Sequence, residues 1–399
     1  MRPLAGTRVL DLTSNVSGPF VTMVLARLGA EVLKVERPPF GDDARQFPPL
    51  AGGESLIFGW CNSGKRSVAL DLARPEGRDV ARRLATGCDV MIHSFKPGVV
   101  DRLGVSEADV RAWGLDLLYC DVSAFGHGPG GRELKGYDPI VQAFAGIMDM
   151  TGHEDGPPAR CAPSIIDLTN GMWMAIGILA ALMARRGGDP VASVQSALVD
   201  SALALVPWQA TVARETGERP RRRGASHELG APYDLFTTAD RPLFLTAANQ
   251  SLWRKLLAVL SLESLVDDPR FETPLSRAAH APALKEALEV ALRTRPAETW
   301  LAELTAAGIP ASLVLGLDEA VRTPVAEERQ WFEQVGGQSL VRLPLLADGA
   351  PLDRPDPAPR LGEHTVAVLE AAGVPAADVG ALLDAGVALA APEDGGVAP

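Results

Sequence analysis

Short apolar runs rich in β-branched residues alternate with helical patterns through the first third of the chain. The runs at 7–13 and 31–36 flank a helical pattern at 19–29, which together predict one strand–helix–strand unit. The same pattern then predicts a strand at 67–71, a helix opening with Pro75, a strand at 88–93, a helix from Ser106 with Asp109 as its capping box, and a strand at 117–124. This alternation indicates an α/β fold with a Rossmann-like parallel sheet.

The second half predicts a smaller α+β domain. A helix is expected at 171–186, a strand near 191–195 and one long helix from there to about 214, before the segment ETGERPRRRG, which is either a solvated linker or a basic patch. Beyond it, the pattern predicts strands at 242–247 and 311–314 and helices at 250–260, 281–293, 296–307 and 364–372. We therefore expect a large domain at 1–215, a small domain at 216–330, a return to the large domain at 331–389 and a disordered tail at 390–399.

The charge is unevenly distributed. The whole chain of 399 residues has 38 basic and 50 acidic side chains, a formal charge of -12, whereas residues 1–135 alone have 17 basic and 16 acidic ones. An acidic chain of this kind is not expected to bind nucleic acid. An anionic ligand should therefore bind to the first third.

Basic residues recur in the connections after predicted strands. Arg37 follows 31–36, Arg74 follows 67–71, Lys96 and Arg102 follow 88–93, and Lys135 follows 117–124. Ligands of open α/β sheets bind beyond the carboxyl ends of the strands, so these cations could meet phosphates there. The first loop has Ser14–Asn15–Val16–Ser17–Gly18 and not GxGxxG, which argues against a dinucleotide.

Asp167 is the acidic residue with the most informative surroundings. It stands at the start of the apolar stretch 165–184, where a side-chain cap of the helix is one interpretation. The other is a nucleophilic carboxylate, held ionised by the helix N-terminus in a dry cleft. The polar residues Asp167, Thr169 and Asn170 also argue against a membrane span, and a buried core helix is expected instead.

The cysteines and histidines do not suggest a metal site. Cys61, Cys88, Cys120 and Cys161 form no CxxC pair, and no histidine stands at a metal-ligand spacing, so no metal is expected. The cysteines are typical of buried thiols in a reducing compartment, and the N-terminus lacks the apolar stretch of a signal peptide. We therefore expect a cytoplasmic protein.

Several segments, taken in order and spacing, resemble the class III CoA-transferases, the group of formyl-CoA, carnitine and bile-acid CoA-transferases to which α-methylacyl-CoA racemases are related. The likeness covers about residues 4–375. It is carried by VLDLTSNVSGPFVTMVLARLGAEVLKVERP (9–38), NSGKRSVALDLARPEG (62–77), FKPGVVDRLG (95–104), GYDPIVQAFAGIMDMTG (136–152), DLTNGMWMAIGILAALMAR (167–185) and APRLGEHT (358–365).

The resemblance implies a transfer of CoA from an acyl-CoA thioester to a free carboxylic acid. It places Asp167 as the nucleophile, which would form a mixed anhydride and then an aspartyl-CoA thioester. It implies interlocked homodimers, with CoA as a substrate and no permanently bound cofactor. Positions that would contact CoA are Val16, Arg37, Leu70, Asp71, Leu72, Ser94, Phe95, Lys96, Arg102, Leu103, Lys135 and Tyr137.

Two departures from the family pattern bear on the activity. Val16 replaces the glutamine of formyl-CoA transferases, which argues against formate–oxalate exchange. Tyr137 replaces the histidine that serves racemases as a second base, and a tyrosine is a weak general base at neutral pH. An acyl-CoA racemase or isomerase and an inactive CoA-binding protein remain the alternatives.

Overall fold

Six parallel strands and one short antiparallel strand form the central sheet. The computed structural model describes residues 1–227, 230–352 and 354–392, so positions 393–399 of the predicted tail lie outside the described residues. The strands are hydrogen-bonded in the order Ala388–Leu389, Arg66–Leu70, Glu31–Glu36, Arg8–Leu12, Val90–His93, Leu118–Ser123 and Ser193–Ala197, with Ala388–Leu389 the antiparallel one. The predicted parallel sheet is thus confirmed.

Both faces of this sheet are buried. Leu10, Leu33 and Val68 pack on one face with the helices Pro75–Thr86 and Thr365–Ala371. Val9, Val32, Val90 and Leu118 pack on the other with the helices Ser17–Arg27 and Ile165–Arg186. Because successive side chains of a strand point to opposite faces, Asp11, Lys34 and Glu36 lie on the second face, where all three are buried.

The described residues form two compact units, one of which contains Met1–Ile147, Cys161–Thr216 and the residues from Gln330 onward. Its other helices and hairpin strands are Leu56–Asn62, Val99–Leu103, Glu107–Ala112, Asp138–Phe144, Leu198–Leu205, Pro207–Thr216 and Ala376–Asp384, and Leu50–Ala51 with Glu54–Ser55, Phe332–Val335 with Gln338–Val341, and Leu346–Ala347 with Ala350–Pro351. The predicted capping box of Ser106 and Asp109 is present at the helix Glu107–Ala112.

The second unit contains Met148–Arg160 and Gly217–Arg329. Its three-stranded sheet is antiparallel, and its core surrounds the buried Trp253 and Phe271. The strands are Tyr233–Phe236, Leu243–Thr246 and Ala311–Leu313, and the helices are Gln250–Leu260, Pro274–Ala279, Ala281–Leu292, Ala297–Ala306, Leu317–Ala320 and Pro324–Glu328. A short helix, Ile147–Met150, begins at the end of the first unit's sequence.

Residues 148–160 were expected in the large domain, but they belong to the second unit. Asp149 forms ion pairs with Arg219 and Arg222, which lie in the same unit. The segment ETGERPRRRG is therefore neither a free linker nor an open basic patch along its whole length, because two of its arginines have a carboxylate partner. The sequence analysis considered only the basic residues of this segment and missed their partner Asp149, which lies about seventy residues earlier in the chain.

Two predicted helices differ from the observed ones. The long helix expected up to 214 is two helices, Leu198–Leu205 and Pro207–Thr216, because a proline has no amide hydrogen to continue the first. The helix expected at 171 begins at Ile165 and buries one face only: Met172, Trp173 and Ile176 are each more than half exposed. In the part of the chain that the structure describes, it is the one helix that is long and apolar enough to cross a membrane.

Candidate active site

The connections that follow the parallel strands meet at one edge of the central sheet. The strand ends Leu12 and His93 are register partners, and so are His93 and Asp121. Arg37 directly follows the strand Glu31–Glu36, Lys96 follows Val90–His93, Arg102 lies in the helix Val99–Leu103, and Lys135 lies in the loop after Leu118–Ser123. The sheet thus directs these predicted cations to the edge where ligands of such sheets bind.

Four of these cations have no carboxylate partner among the residues that the structure describes. Arg37, Lys96, Arg102 and Lys135 are exposed, and none of them forms an ion pair with another described residue. Arg74 differs, since its guanidinium donates to the carbonyl of Ala385 at 2.8 Å and lies 3.6 Å from Glu76. Cations without an ion-pair partner at one sheet edge can bind phosphates, whereas the guanidinium of Arg74 already contacts Ala385 and Glu76.

The remaining predicted CoA contacts divide by burial. Leu70 and Leu72 bury their side chains in the core, so only their backbone is available to a ligand. Phe95 and Leu103 are partly buried against the same core, whereas Tyr137 is 63% exposed at the start of the helix Asp138–Phe144. Asp71 Oδ1 accepts from the amide of Ala73 at 2.9 Å, and Ser94 Oγ accepts from the amide of Ser14 at 3.0 Å. These predicted contacts therefore differ in the part that a ligand could reach, backbone for Leu70 and Leu72 and side chain for Tyr137.

Asp167 lies in the first turn of the helix Ile165–Arg186 and is half-buried. Its carboxylate has no hydrogen bond to another described side chain, and it does not cap the helix. Burial, and to a smaller extent the charge of Asp138, raises the pKa of Asp167 to about 7. Burial thus favours the protonated form of this carboxyl and works against the ionised form that the sequence led us to expect.

The carboxylate of Asp138, from another helix, caps the helix that carries Asp167. Its Oδ2 accepts from the amides of Ile166 at 2.7 Å and Asp167 at 3.3 Å, while Ser164 makes no side-chain cap. Its Oδ1 accepts from Gln142 Nε2 at 2.6 Å. Asp138 is thereby buried in a fixed position next to Asp167. Reasoning from the sequence missed this residue.

A second set of contacts connects Asp167 to the first loop. Ser17 Oγ donates to the carbonyl of Asp167 at 3.0 Å and accepts from Asn170 Nδ2 at 3.0 Å. Asn170 Oδ1 in turn accepts from Ser201 Oγ at 3.0 Å. Val16 directly precedes Ser17 and is half-buried, so the loop that carries it is held against the turn that carries Asp167.

A histidine cluster lies at the same sheet edge. His127 pairs with Asp121, and the ring of His93 stacks on Phe95 with 5.9 Å between centroids. Burial raises the pKa of Asp121 to about 6 and lowers that of His93 to about 4. Among the described residues, no three His, Cys, Asp or Glu side chains are grouped so that they could hold a metal ion, and the absence of a metal stays a prediction.

Known proteins resemble the chain over nearly its whole length. The sequence profile of CoA-transferase family III matches residues 4–365. The chain belongs to CoA-transferase family III. It is 36% identical over 378 residues to the acetyl-CoA:oxalate CoA-transferase of Acetobacter aceti, covering 94% of this chain and 97% of that protein. It is 32% identical to the succinate–glutarate CoA-transferase of Agrobacterium fabrum, covering 92% and 95%.

A solved structure agrees with the fold of this CoA-transferase. The crystal structure of a CaiB/BaiF family protein from Brucella suis superposes with a TM-score of 0.83 at 32% identity, covering 93% of this chain and 99% of that one. The resemblance to class III CoA-transferases that the sequence motifs indicated is thus confirmed. The family match ends at 365, so the helix Ala376–Asp384 and the edge strand Ala388–Leu389 lie beyond it.

Proposed function

We propose that this enzyme moves CoA from an acyl-CoA thioester to a free carboxylic acid, with Asp167 as the nucleophile. The observation that carries the proposal is the state of Asp167: a half-buried carboxylate without a side-chain partner among the described residues, whose pKa is raised to about 7. A more basic carboxylate is a stronger nucleophile, and near pH 7 about half of it is ionised. Its position beside the first loop supports the same role.

The reaction proceeds by four exchanges at one carboxylate. An oxygen of Asp167 attacks the donor thioester carbonyl, the C–S bond breaks, and CoA leaves as a thiolate. The donor acyl group is then joined to Asp167 as a mixed anhydride. The thiolate attacks the aspartyl carbonyl and releases the donor acid, giving an aspartyl-CoA thioester. The acceptor carboxylate then displaces the thiolate to form a second anhydride, and the thiolate attacks its acyl carbonyl. The new acyl-CoA leaves and the carboxylate of Asp167 is regenerated.

Each intermediate would be lost if water reached it. Partial burial of Asp167 limits that access, and covalent capture keeps the thioester energy on the enzyme. Arg37, Lys96, Arg102 and Lys135 would hold the phosphates of CoA at the sheet edge, with the predicted contacts Leu70, Asp71, Leu72, Ser94, Phe95, Leu103 and Tyr137 along it.

The test is a CoA-exchange assay with chemical trapping. The purified protein is incubated with acetyl-CoA plus oxalate and with succinyl-CoA plus glutarate, the pairs suggested by the names of the two relatives. We expect exchange, and a hydroxylamine-derived hydroxamate on the Asp167 peptide by mass spectrometry. Asp167→Asn should remove both. The matched control Asp378→Asn, an exposed first-turn acid of another helix, should remove neither.

Three outcomes would contradict the proposal. Full exchange activity in Asp167→Asn would show that another group is the nucleophile. Deuterium entering the α-carbon of an acyl-CoA without an acceptor acid, with no exchange for a broad acid panel, would indicate an isomerase. Tight CoA binding with neither reaction would indicate an inactive CoA-binding protein.

We also propose a homodimer, in line with the family resemblance. One face of the helix Ile165–Arg186 leaves Met172, Trp173, Ile176 and Met183 exposed, with Trp208 exposed on a nearby helix. Large apolar side chains exposed together on one helix face are typical of a surface that another protein covers. The four cysteines, all free, support the cytoplasmic location, which stays a prediction.

A further inference from the structure

The loop at residues 13–16 is held by side chains from three other segments. It joins the strand Arg8–Leu12 to the helix Ser17–Arg27, and Asn15 has a φ of +68°, in the left-handed region. Three successive amides of the loop donate to side chains: Thr13 to Asp11 Oδ1 at 2.9 Å, Ser14 to Ser94 Oγ at 3.0 Å, and Asn15 to Asp42 Oδ1 at 3.0 Å. The path of this loop is therefore fixed from outside it.

Asp42 holds the loop directly at Asn15 and, through Lys34, at Thr13, and its Oδ1 also accepts from the amide of Ala44 at 3.0 Å. Its Oδ1 accepts from the amide of Asn15, and its Oδ2 accepts from Lys34 Nζ at 2.8 Å. Lys34 Nζ also donates to the carbonyl of Thr13 at 3.0 Å. Both side chains of the ion pair are buried, at 0% and 1% exposure. The pair therefore reaches the backbone on either side of Ser14.

Asp42 is itself held in place by neighbouring side chains. The amide of Asp42 donates to Glu36 Oε2 at 3.1 Å, and Glu36 forms two hydrogen bonds of 2.7 Å to Arg45. Burial would lower the pKa of Lys34, but Asp42, Asp11 and Glu36 together raise it, so its ammonium stays charged. Replacing a buried ion pair by apolar residues is often neutral for stability. The charges of Lys34 and Asp42 are therefore better explained by their hydrogen bonds to the loop backbone than by a contribution to the free energy of unfolding.

The loop in turn contacts the segment of Asp167. Ser17, one residue after Val16, donates to the carbonyl of Asp167 and accepts from Asn170. A shift of the loop would displace Ser17 and, with it, the turn that carries the carboxylate. Misplacing a reacting group by about 1 Å can reduce a rate about a hundredfold.

We propose that Asp42 is a positioning residue for the transfer reaction: with Lys34 it holds the loop at 13–16 so that Ser17, which follows the loop, stays against Asp167. This inference rests on the proposed function. Asp42 is expected to act mainly on the rate of the chemical steps, because Ser17 at the end of the loop contacts the turn of Asp167. A smaller effect on CoA binding is expected through Val16, a predicted CoA contact in the same loop.

The test compares two double variants that differ in one acceptor. Lys34→Met/Asp42→Leu removes the ion pair and the acceptor for the amides of Asn15 and Ala44, whereas Lys34→Met/Asp42→Asn removes the ion pair and keeps an acceptor. We expect the first to lower kcat at least about tenfold, the second to retain at least about threefold more activity than the first, and the KM for CoA to change by less than kcat in both. Asp43→Asn, at the exposed neighbouring position, is the matched control.

Equal kcat values for the two double variants would overturn the proposal, as would parallel losses of kcat and CoA binding. Hydrogen exchange of the unmutated protein gives a second measurement that needs no variant and no substrate. The amide of Asn15 should exchange far more slowly than those of the open turn at Gly52 and Gly53, and equal rates would overturn the proposal. If the wild-type protein does not transfer CoA between acids, the proposed function fails. The hydrogen-exchange measurement then still tests whether Asp42 holds the loop at the amide of Asn15.

Discussion

The carboxylate of Asp138 caps the helix that carries Asp167. Its Oδ2 lies 2.7 Å from the amide of Ile166 and 3.3 Å from that of Asp167 itself. The same negative charge adds to burial in raising the pKa of Asp167. One buried side chain thus holds the turn of the proposed nucleophile and is, after burial, the second cause of its raised pKa.

Removing only the charge of Asp138 should separate these two effects. Asp138→Asn keeps an oxygen acceptor for the two amides but loses the repulsion that raises the pKa of Asp167. We expect the acidic limb of the pH profile of kcat/KM to move about half to one unit lower. Asp138→Ala should instead cost about 1–2 kcal/mol of unfolding free energy, as for other lost caps. An unchanged acidic limb in Asp138→Asn would contradict this account.

The raised pKa of Asp167 also predicts how stability depends on pH. The folded pKa of about 7 lies above the ordinary 3.8, so the folded protein binds a proton that the unfolded chain has released, and the resulting stability is lost as pH rises through 7. Asp167→Asn has no titrating carboxyl at this position, so it does not show this loss of stability. Its unfolding free energy relative to wild type should increase by about 1–3 kcal/mol between pH 4.5 and 8, a value reduced for partial exposure.

Denaturant titrations of both proteins at the two pH values measure this difference. Asp378→Asn serves as the control, since its acid is exposed in the first turn of another helix, and its difference from wild type should not change with pH. A constant difference for Asp167→Asn as well would mean that the carboxylate is ionised throughout this range.

The parallel sheet could be predicted from the sequence because strands buried on both faces form nearly continuous apolar runs. Elements without such a run were missed. The strand Ala388–Leu389 has two residues, and the strand Tyr233–Phe236 buries only Phe236. Pro207 is a local signal that should have divided the helix around it, since proline favours the first turn of a helix.

The candidate site was only partly predictable, because its support comes from distant parts of the chain. Asp167 stands out by its apolar surroundings, but Asp138 reads as a first-turn acid of its own helix and acts on another helix 28 residues later. Lys34 offered a signal that went unused. A lysine in the middle of a parallel strand has no solvent face to occupy, so it requires a buried partner, which is Asp42.

Neutralising the unpaired cations at the sheet edge should weaken CoA binding in a salt-dependent way. Lys96→Gln and Lys135→Gln should each raise the KM for CoA about three- to tenfold at low ionic strength, with less effect at 0.5 M salt and little change in kcat. Arg83→Gln is the matched control, because Arg83 is exposed in the last turn of the helix Pro75–Thr86. An equal KM in all three variants would remove these lysines from the CoA site.

The exposed apolar face predicts a dimer that a single charge disrupts. Trp173 is 51% exposed beside Met172 and Ile176, and a twofold interface that included this face would bury one Trp173 from each protomer. Light scattering after size exclusion should give wild type twice the chain mass of 42.1 kDa. Trp173→Glu should weaken association at least about tenfold, since buried tryptophans often contribute about 2 kcal/mol or more. Leu317→Glu, at an 80% exposed position of the second unit, should remain dimeric, and a monomeric wild type would refute the dimer.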